Sequence, residues 1–95
     1  MAENAAIIVI RETDNVGTAT RDVVTGESVS AQVGNQTLSL AAASDIKFLH
    51  KIALKDIAAG ERIVKYGAVI GEATQPIHVG EHVHVHNIRS LWGKT

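Results

Sequence analysis

The sequence contains no cysteine, one proline and only three aromatic residues, one each of Phe, Tyr and Trp. Without cysteine the chain can form neither disulfide bonds nor zinc–thiolate sites, and thiol catalysis is excluded. The scarcity of aromatic rings argues against a surface on which nucleic-acid bases or sugars stack. The net charge of −1 also lacks the excess of Lys and Arg that nucleic-acid and anionic membrane surfaces require. We therefore expect neither nucleic acid nor a membrane among its partners.

Long apolar runs are absent as well. The longest, Ala5–Ile10, falls far short of the roughly 20 residues of a membrane-spanning helix, and it lacks the basic flank and cleavage site of a signal peptide. We therefore expect a cytoplasmic protein. The 95 residues predict a single small domain, residues 1–95. A chain of this size hides only roughly 65% of its unfolded surface, so it is not expected to enclose a deep catalytic pocket alone.

The residues that are abundant favour β-structure. Val and Ile together outnumber Leu by 21 to 5, and β-branched side chains pack well on sheets but lose rotamer freedom in helices. Alternating polarity and turn residues predict eight strands, near residues 7–10, 17–20, 27–33, 37–41, 52–54, 62–65, 68–73 and 81–88. Gly34-Asn35 and Tyr66-Gly67 predict hairpin turns. The fold class predicted from the residues is all-β.

One short pattern occurs three times, in the segments Asp22–Val29, Asp56–Ile63 and Pro76–Val83. In each, an aliphatic residue is followed by a tight turn that ends in Gly-Glu, and an aliphatic strand then begins. Glycine suits such a turn because it adopts positive φ without steric cost. The sequence thus predicts one turn type that starts three successive strands.

Three histidines alternate with two valines between His82 and His86. In a strand this spacing places the imidazoles on one face and the valines on the other. Imidazole titrates near neutrality and is the commonest metal ligand, and a His-x-His pair can share an ion with a ligand from another strand. The outer two rings would lie about 13 Å apart along a strand, so we expect two of the three to work as a pair. The alternative is a polar strand face without chemistry.

Three segments carry a resemblance to a known family: DNVGTATRDVV at 14–24, HKIALKDIAAGERIVKYGAVIGEAT at 50–74 and GEHVHVHN at 80–87. Together they resemble the small SAF-type domain of the altronate and galactarate dehydratase family, over about Ile7 to Ser90. The resemblance implies a compact β-clip fold, in agreement with the predicted strands. One departure is Leu49, which stands where the family usually has glycine, although leucine disfavours positive φ.

The resemblance implies an accessory role in a carbon–oxygen lyase. In that family the module is either the N-terminal part of a sugar-acid dehydratase or a separate small subunit. It would assist the metal-dependent removal of water from a polyhydroxy carboxylic acid, giving a 2-keto-3-deoxy acid. Fe²⁺ or Mn²⁺ is the implied cofactor, and the chain is expected to be inactive without a large catalytic partner. Two alternatives stay open: the small subunit of (2R)-sulfolactate sulfo-lyase, and a non-catalytic module that binds a sugar acid or serves as a scaffold.

The expected site residues lie in two of the resembling segments. They are His84 and His86 as catalytic residues and metal ligands, and His50, Lys51 and Asn87 as substrate-binding residues. His82 is expected to contribute less because it adjoins the Gly80-Glu81 turn. Contact of the imidazoles with the substrate carboxylate instead of a metal stays open, as does self-association of the chain.

Overall fold

The computed structural model describes residues 6–33 and 35–90, and all regular structure within these ranges is β-strand. The nine strands there are β1 (Ile7–Ile8), β2 (Val16–Ala19), β3 (Ser28–Val33), β4 (Gln36–Ala41), β5 (Lys51–Ala53), β6 (Arg62–Lys65), β7 (Ala68–Ala73), β8 (His82–Val83) and β9 (Ile88–Ser90). The all-β prediction is confirmed. No helix in the described part of the chain is long and apolar enough to cross a membrane.

The strands form three antiparallel units. A four-stranded sheet has the order β1-β2-β5-β8, a three-stranded sheet has the order β6-β7-β9, and β3 and β4 form a hairpin. Both predicted hairpins are confirmed by their register, since Val33 pairs with Gln36 and Lys65 pairs with Ala68. Gly34 itself lies outside the described residues.

Strand β5 is buried from both sides. Ile52 and Ala53 are both 0% exposed, and as consecutive strand residues they point to opposite faces of the sheet. Ile52 packs in a cluster with side chains of β1 and β3, whereas Ala53 packs in a second cluster with Val83 and side chains of β6. β5 therefore lies between two cores, which fixes the position of its first residue, Lys51, and of His50 directly before it.

The three Gly-Glu turns have one hydrogen-bonding pattern. In the turn that ends at Glu61, the Gly60 N–H donates to the Ala73 carbonyl, the Ala73 N–H donates to the Glu61 carbonyl, and the Glu61 N–H donates to the Ala58 carbonyl. The turn glycines at 26, 60 and 80 have φ of 90°, 86° and 89°. The prediction of one reused turn with glycine at positive φ is confirmed.

A fourth turn of the same kind, not predicted from the sequence, spans Asp45–His50. Here the Leu49 N–H donates to the Ala19 carbonyl, the Ala19 N–H donates to the His50 carbonyl, and the His50 N–H donates to the Lys47 carbonyl. Leu49 occupies the glycine position with φ of 71°, and His50 occupies the glutamate position. The motif was missed because both of its diagnostic residues are replaced.

This fourth turn is held against the first by reciprocal contacts. Ile46 pairs with Val23 in an isolated bridge. The Asp45 carboxylate accepts the Thr25 N–H at 2.8 Å, and the Asp22 carboxylate accepts the Phe48 N–H at 2.8 Å. These contacts fix the turn from which His50 projects.

The predicted single strand over residues 81–88 is wrong. Strand β8 ends at Val83, residues 84–87 form a turn, and β9 begins at Ile88. The buried side chain of Asn87 produces this turn: its Oδ1 accepts the His84 N–H, and its Nδ2 donates to the His82 carbonyl, both at 2.9 Å. Consequently the two valines do not share a buried face, because Val83 is 0% exposed and Val85 is 79% exposed.

Candidate functional site

Four imidazoles meet at the end of the four-stranded sheet. His82 lies at the start of β8, His84 and His86 lie in the following turn, and His50 precedes β5. The ring centroids of His82 lie 5.1, 5.4 and 5.3 Å from those of His50, His84 and His86. The His50 and His84 rings are closer still, at 4.4 Å. We call these four residues the histidine cluster.

The turn at residues 84–87 explains why the cluster is so compact. Had residues 82–86 remained extended, the outer rings would be about 13 Å apart. Instead the chain folds back and the His82 and His86 rings approach to 5.3 Å. His82, expected to contribute less, is the member that contacts all three others. The register of β5 against β8, with Ile52 opposite His82, brings in His50 from 32 residues away.

Direct contact between two imidazoles defines the centre of the cluster. The His50 Nδ1 and His82 Nε2 atoms are 2.9 Å apart. A hydrogen bond at this distance needs one protonated nitrogen and one nitrogen with a free lone pair. At least one of the two rings therefore accepts, and it presents the lone pair that a metal ion also requires.

The position of His50 within the fourth turn explains why its side chain can join the cluster. In the three sibling turns the equivalent glutamate accepts a backbone N–H of its own turn, with distances of 3.2 Å for Glu27, 2.9 Å for Glu61 and 2.9 Å for Glu81. The His50 ring instead contacts His82 and His84. In the three sibling turns this side chain closes its own turn, whereas the histidine at position 50 extends into the cluster.

The local electrostatics favour neutral rings. Burial, followed by the charge of His50, lowers the pKa of His82, and His86, His84 and Lys51 act in the same direction. Burial and then the charges of His50 and Lys51 likewise lower the pKa of His84. Since each cause disfavours the charged imidazolium, both rings keep the unprotonated nitrogen needed for metal binding or proton transfer.

Three members of the cluster are spaced as a set of metal ligands. One ring nitrogen from each of His50, His82 and His84 lies within 4.8 Å of the others. Two ligands of one tetrahedral ion lie about 3.4 Å apart at metal–nitrogen distances near 2.1 Å, so modest ring rotations would suffice. His86, predicted as a ligand, is exposed and lies against His82 outside this set of three. Three neutral ligands would leave positions for water or substrate.

The two remaining predicted residues have distinct surroundings. Asn87 is 3% exposed and uses both ends of its amide on the backbone of the turn, so it positions His82 and His84. Lys51, the residue after His50, is half-buried and pairs in register with Val83, and burial followed by the charge of Lys65 lowers its pKa. Substrate contact by Asn87, Lys51 and His50 stays a prediction.

Comparison with known proteins gives this geometry a context. The altronate/galactarate dehydratase SAF domain family matches residues 5–91. The chain belongs to this family. The SAF domain is similar to the altronate dehydratases of Bacillus subtilis strain 168 (45% identity, 90% of this chain) and Escherichia coli K12 (46% identity, 87% of this chain). It is also similar to the (2R)-sulfolactate sulfo-lyase subunit alpha of Chromohalobacter salexigens, with 39% identity over 72% of this chain.

The shares of the relatives that are covered differ greatly. The SAF domain spans 16% of either altronate dehydratase but 74% of the sulfo-lyase subunit alpha. In the relatives, the module is therefore a small part of a larger chain or most of a subunit. The resemblance inferred from the sequence is confirmed, and its extent agrees with the predicted match from Ile7 to Ser90.

Proposed function

We propose that this SAF domain is the accessory part of a hydro-lyase that removes water from a polyhydroxy carboxylic acid, and that the histidine cluster takes part by holding a divalent metal ion. The observation that carries the proposal is the set of three ring nitrogens, from His50, His82 and His84, within 4.8 Å. The names of the altronate dehydratases support the reaction class.

The proposed dehydration needs positive charge at the substrate carboxylate, which a metal ion held by the histidine cluster would supply. Removal of the proton α to a carboxylate places negative charge on that carboxylate, and expulsion of the β-hydroxyl then gives a 2-keto-3-deoxy acid after tautomerisation. A divalent ion supplies stabilisation of this charge when it is bound. Of the two implied ions, Fe²⁺ suits an all-imidazole set better than Mn²⁺ does.

The histidines divide into two groups in this proposal. The half-buried rings of His50, His82 and His84 hold the ion, since the pKa values of His82 and His84 are lowered. His86 is exposed at the outer edge, where its ring nitrogen can take up or release a proton. His84 thereby serves the ion and His86 serves proton transfer.

A large catalytic partner completes the enzyme in this proposal. The relatives contain the module within larger dehydratases or as a subunit alpha, and we expect the isolated SAF domain to be inactive. A second candidate reaction is the elimination of sulfite from (2R)-sulfolactate, favoured by the 74% coverage of the sulfo-lyase subunit alpha.

Metal binding tests the cluster directly. Calorimetric titration of the 95-residue chain with Fe²⁺ under anaerobic conditions should show one site, and His84→Ala should weaken it about a hundredfold. His78→Ala removes an exposed histidine outside the cluster and should change nothing. Absence of binding to the wild-type chain, or equal binding by the His84→Ala chain, would refute the metal site.

Reconstitution tests the reaction. The chain should restore altronate or galactarate dehydration to the large part of an altronate dehydratase from which the SAF domain has been deleted. The His84→Ala, His86→Ala double variant should lose about a hundredfold or more of the turnover, the scale of a lost acid–base group. Full turnover with the double variant would instead identify a scaffold module, and turnover by the chain alone would refute the need for a partner.

A further inference from the structure

Strand β4 has an open edge on the side away from β3. Its six residues pair with β3 in continuous register, and a two-residue turn between Val33 and Gln36 closes the hairpin. In such a ladder alternate pairs exchange hydrogen bonds, beginning with the pair that closes the turn. Thr37 and Ser39 therefore lie at the positions whose backbone N–H and C=O groups point away from β3.

The outer edge of β3, unlike that of β4, is covered. Ser30 lies opposite Ser39, and its carbonyl accepts the Ala6 N–H at 3.2 Å. This bond agrees with the alternation, because both residues of a pair that exchanges no hydrogen bonds direct their backbone groups outward. Within residues 6–33 and 35–90, the backbone groups of Thr37 and Ser39 have no hydrogen-bond partner.

The β3–β4 hairpin lacks the features that usually protect an open edge. Native sheets prevent pairing with another chain by placing charges, proline or a bulge on such a strand. No Asp, Glu, Lys, Arg, His or Pro occurs from Ser28 to Ser44, although one-fifth of the chain is charged, and the register contains no bulge. In a symmetric contact each side chain lies near its own copy, so a charge there would repel itself. The uncharged edge therefore suits a second copy of this chain.

The inner face of β4 also fits a second copy. Leu38 and Leu40 pack against the core that contains Ile52, but they stay half-buried. Next to Leu38 lies a cleft of about 440 Å³, lined in part by Val9 and Leu54. A strand added at the edge places one side chain opposite Leu38 on this face, beside the cleft. β4 of a second copy supplies a leucine there, which extends the apolar layer.

We propose that two copies of this chain associate through antiparallel pairing of their β4 strands about a two-fold axis at Leu38. In this register Thr37 lies opposite Ser39 of the second copy, and the two such pairs exchange four backbone hydrogen bonds. Leu38 meets its own copy in the intervening close pair, with Cβ atoms about 5 Å apart. The two hairpins then form one four-stranded sheet. Because this contact is small, we expect a weak dimer with a Kd of about 10 μM to 1 mM.

Sedimentation equilibrium of the 95-residue chain over this concentration range tests the dimer. Ser39→Pro removes an N–H that points outward and leaves the bonds between β3 and β4 in place, so it should weaken dimerisation at least about tenfold. Ser39→Ala keeps the N–H and should preserve the dimer. A wild-type chain that is monomeric throughout would overturn the proposal, as would undiminished dimerisation of the Ser39→Pro chain.

Charged side chains test the register without depending on proline. Thr37 and Ser39 are exposed, so both accept substitution without loss of core packing. The Thr37→Glu, Ser39→Glu double variant places like charges opposite each other across the axis and should weaken dimerisation about tenfold. Thr37→Lys, Ser39→Glu places opposite charges there and should retain it. Ala59→Glu, Gln75→Glu adds the same net charge at exposed positions outside β4 and should also retain it. Equal dimerisation by all three double variants would refute this pairing.

The other occupant of the edge is a strand of a large catalytic partner. If the wild-type chain is monomeric and Ser39→Pro instead prevents its assembly with the large part of an altronate dehydratase, β4 pairs with that part, and self-association is refuted. The outcome is independent of the proposed metal site, because no cluster histidine is changed in any of these variants.

Discussion

The exchange His50→Gln separates the structural role of the fourth turn from its role in the site. Glutamine has the length of the glutamate found in the sibling turns, and its amide oxygen can accept the Lys47 N–H as Glu61 accepts that of Ala58. The variant loses the contact of His50 with His82, worth about 1 kcal/mol, and gains a turn hydrogen bond of about the same value. We therefore expect the free energy of unfolding to change by less than about 1 kcal/mol.

Metal affinity should respond very differently to the same exchange. Loss of a residue that only supports a ligand reduces metal affinity by about 10- to 100-fold, so the loss of a direct ligand should cost about 100-fold or more. Anaerobic Fe²⁺ titration and urea unfolding of the same sample measure both quantities. Glu61→Gln changes the same position of a sibling turn and should leave Fe²⁺ binding intact. Unchanged Fe²⁺ binding in the His50→Gln chain would refute the ligand role. A loss of several kcal/mol of stability would refute the equivalence of the turns.

Three further results are expected from the fold. Gly80→Ala should lower the free energy of unfolding in urea by about 3 kcal/mol, and Gly60→Ala by only about 1 kcal/mol. Both glycines have positive φ, but a Cβ at Gly80 would collide with the Ala41 carbonyl, whereas a Cβ at Gly60 meets nothing within 4 Å. Equal losses in the two variants would contradict the collision at Gly80. Asn87→Ala should cost about 2 to 4 kcal/mol and weaken Fe²⁺ binding, because two half-buried backbone groups, the His84 N–H and the His82 carbonyl, lose their partner. A stable variant with full Fe²⁺ binding would show that the amide does not organise the turn. Because the folded state lowers the pKa of His82, the unfolded chain binds more protons near its ordinary value of about 6.5. The free energy of unfolding of the metal-free chain should then be highest above about pH 6.5 and should fall as the pH drops through the pKa of His82 in the folded state. This pH dependence should be weaker in the His82→Gln chain. Identical pH profiles of the two chains would exclude His82 as its source.

Much of the fold is determined by local sequence signals. The excess of β-branched residues and the regular turns predict an all-β chain, because these preferences act within a few residues. The Tyr66-Gly67 turn is of this kind, with φ of 56° and 78° at its two central residues. The Gly-Glu turns are predictable for the same reason, since glycine at positive φ and a glutamate that accepts a nearby N–H are local devices. The family was also evident from contiguous segments.

The arrangement of the site was decided by tertiary structure. The alternation from His82 to His86 predicts a strand, but period-two polarity cannot reveal that the Asn87 side chain competes for the backbone groups of that strand and converts it into a turn. The fourth turn has neither the glycine nor the glutamate that would reveal it. Its Leu49 adopts φ of 71° in a turn that is hydrogen-bonded to the backbone of Ala19, a residue distant in sequence. His50 reaches His82 only because β5 pairs with β8. The residue types and their approximate chemistry could therefore be read from the sequence, whereas the members of the cluster follow from pairing between distant segments, which no local pattern encodes.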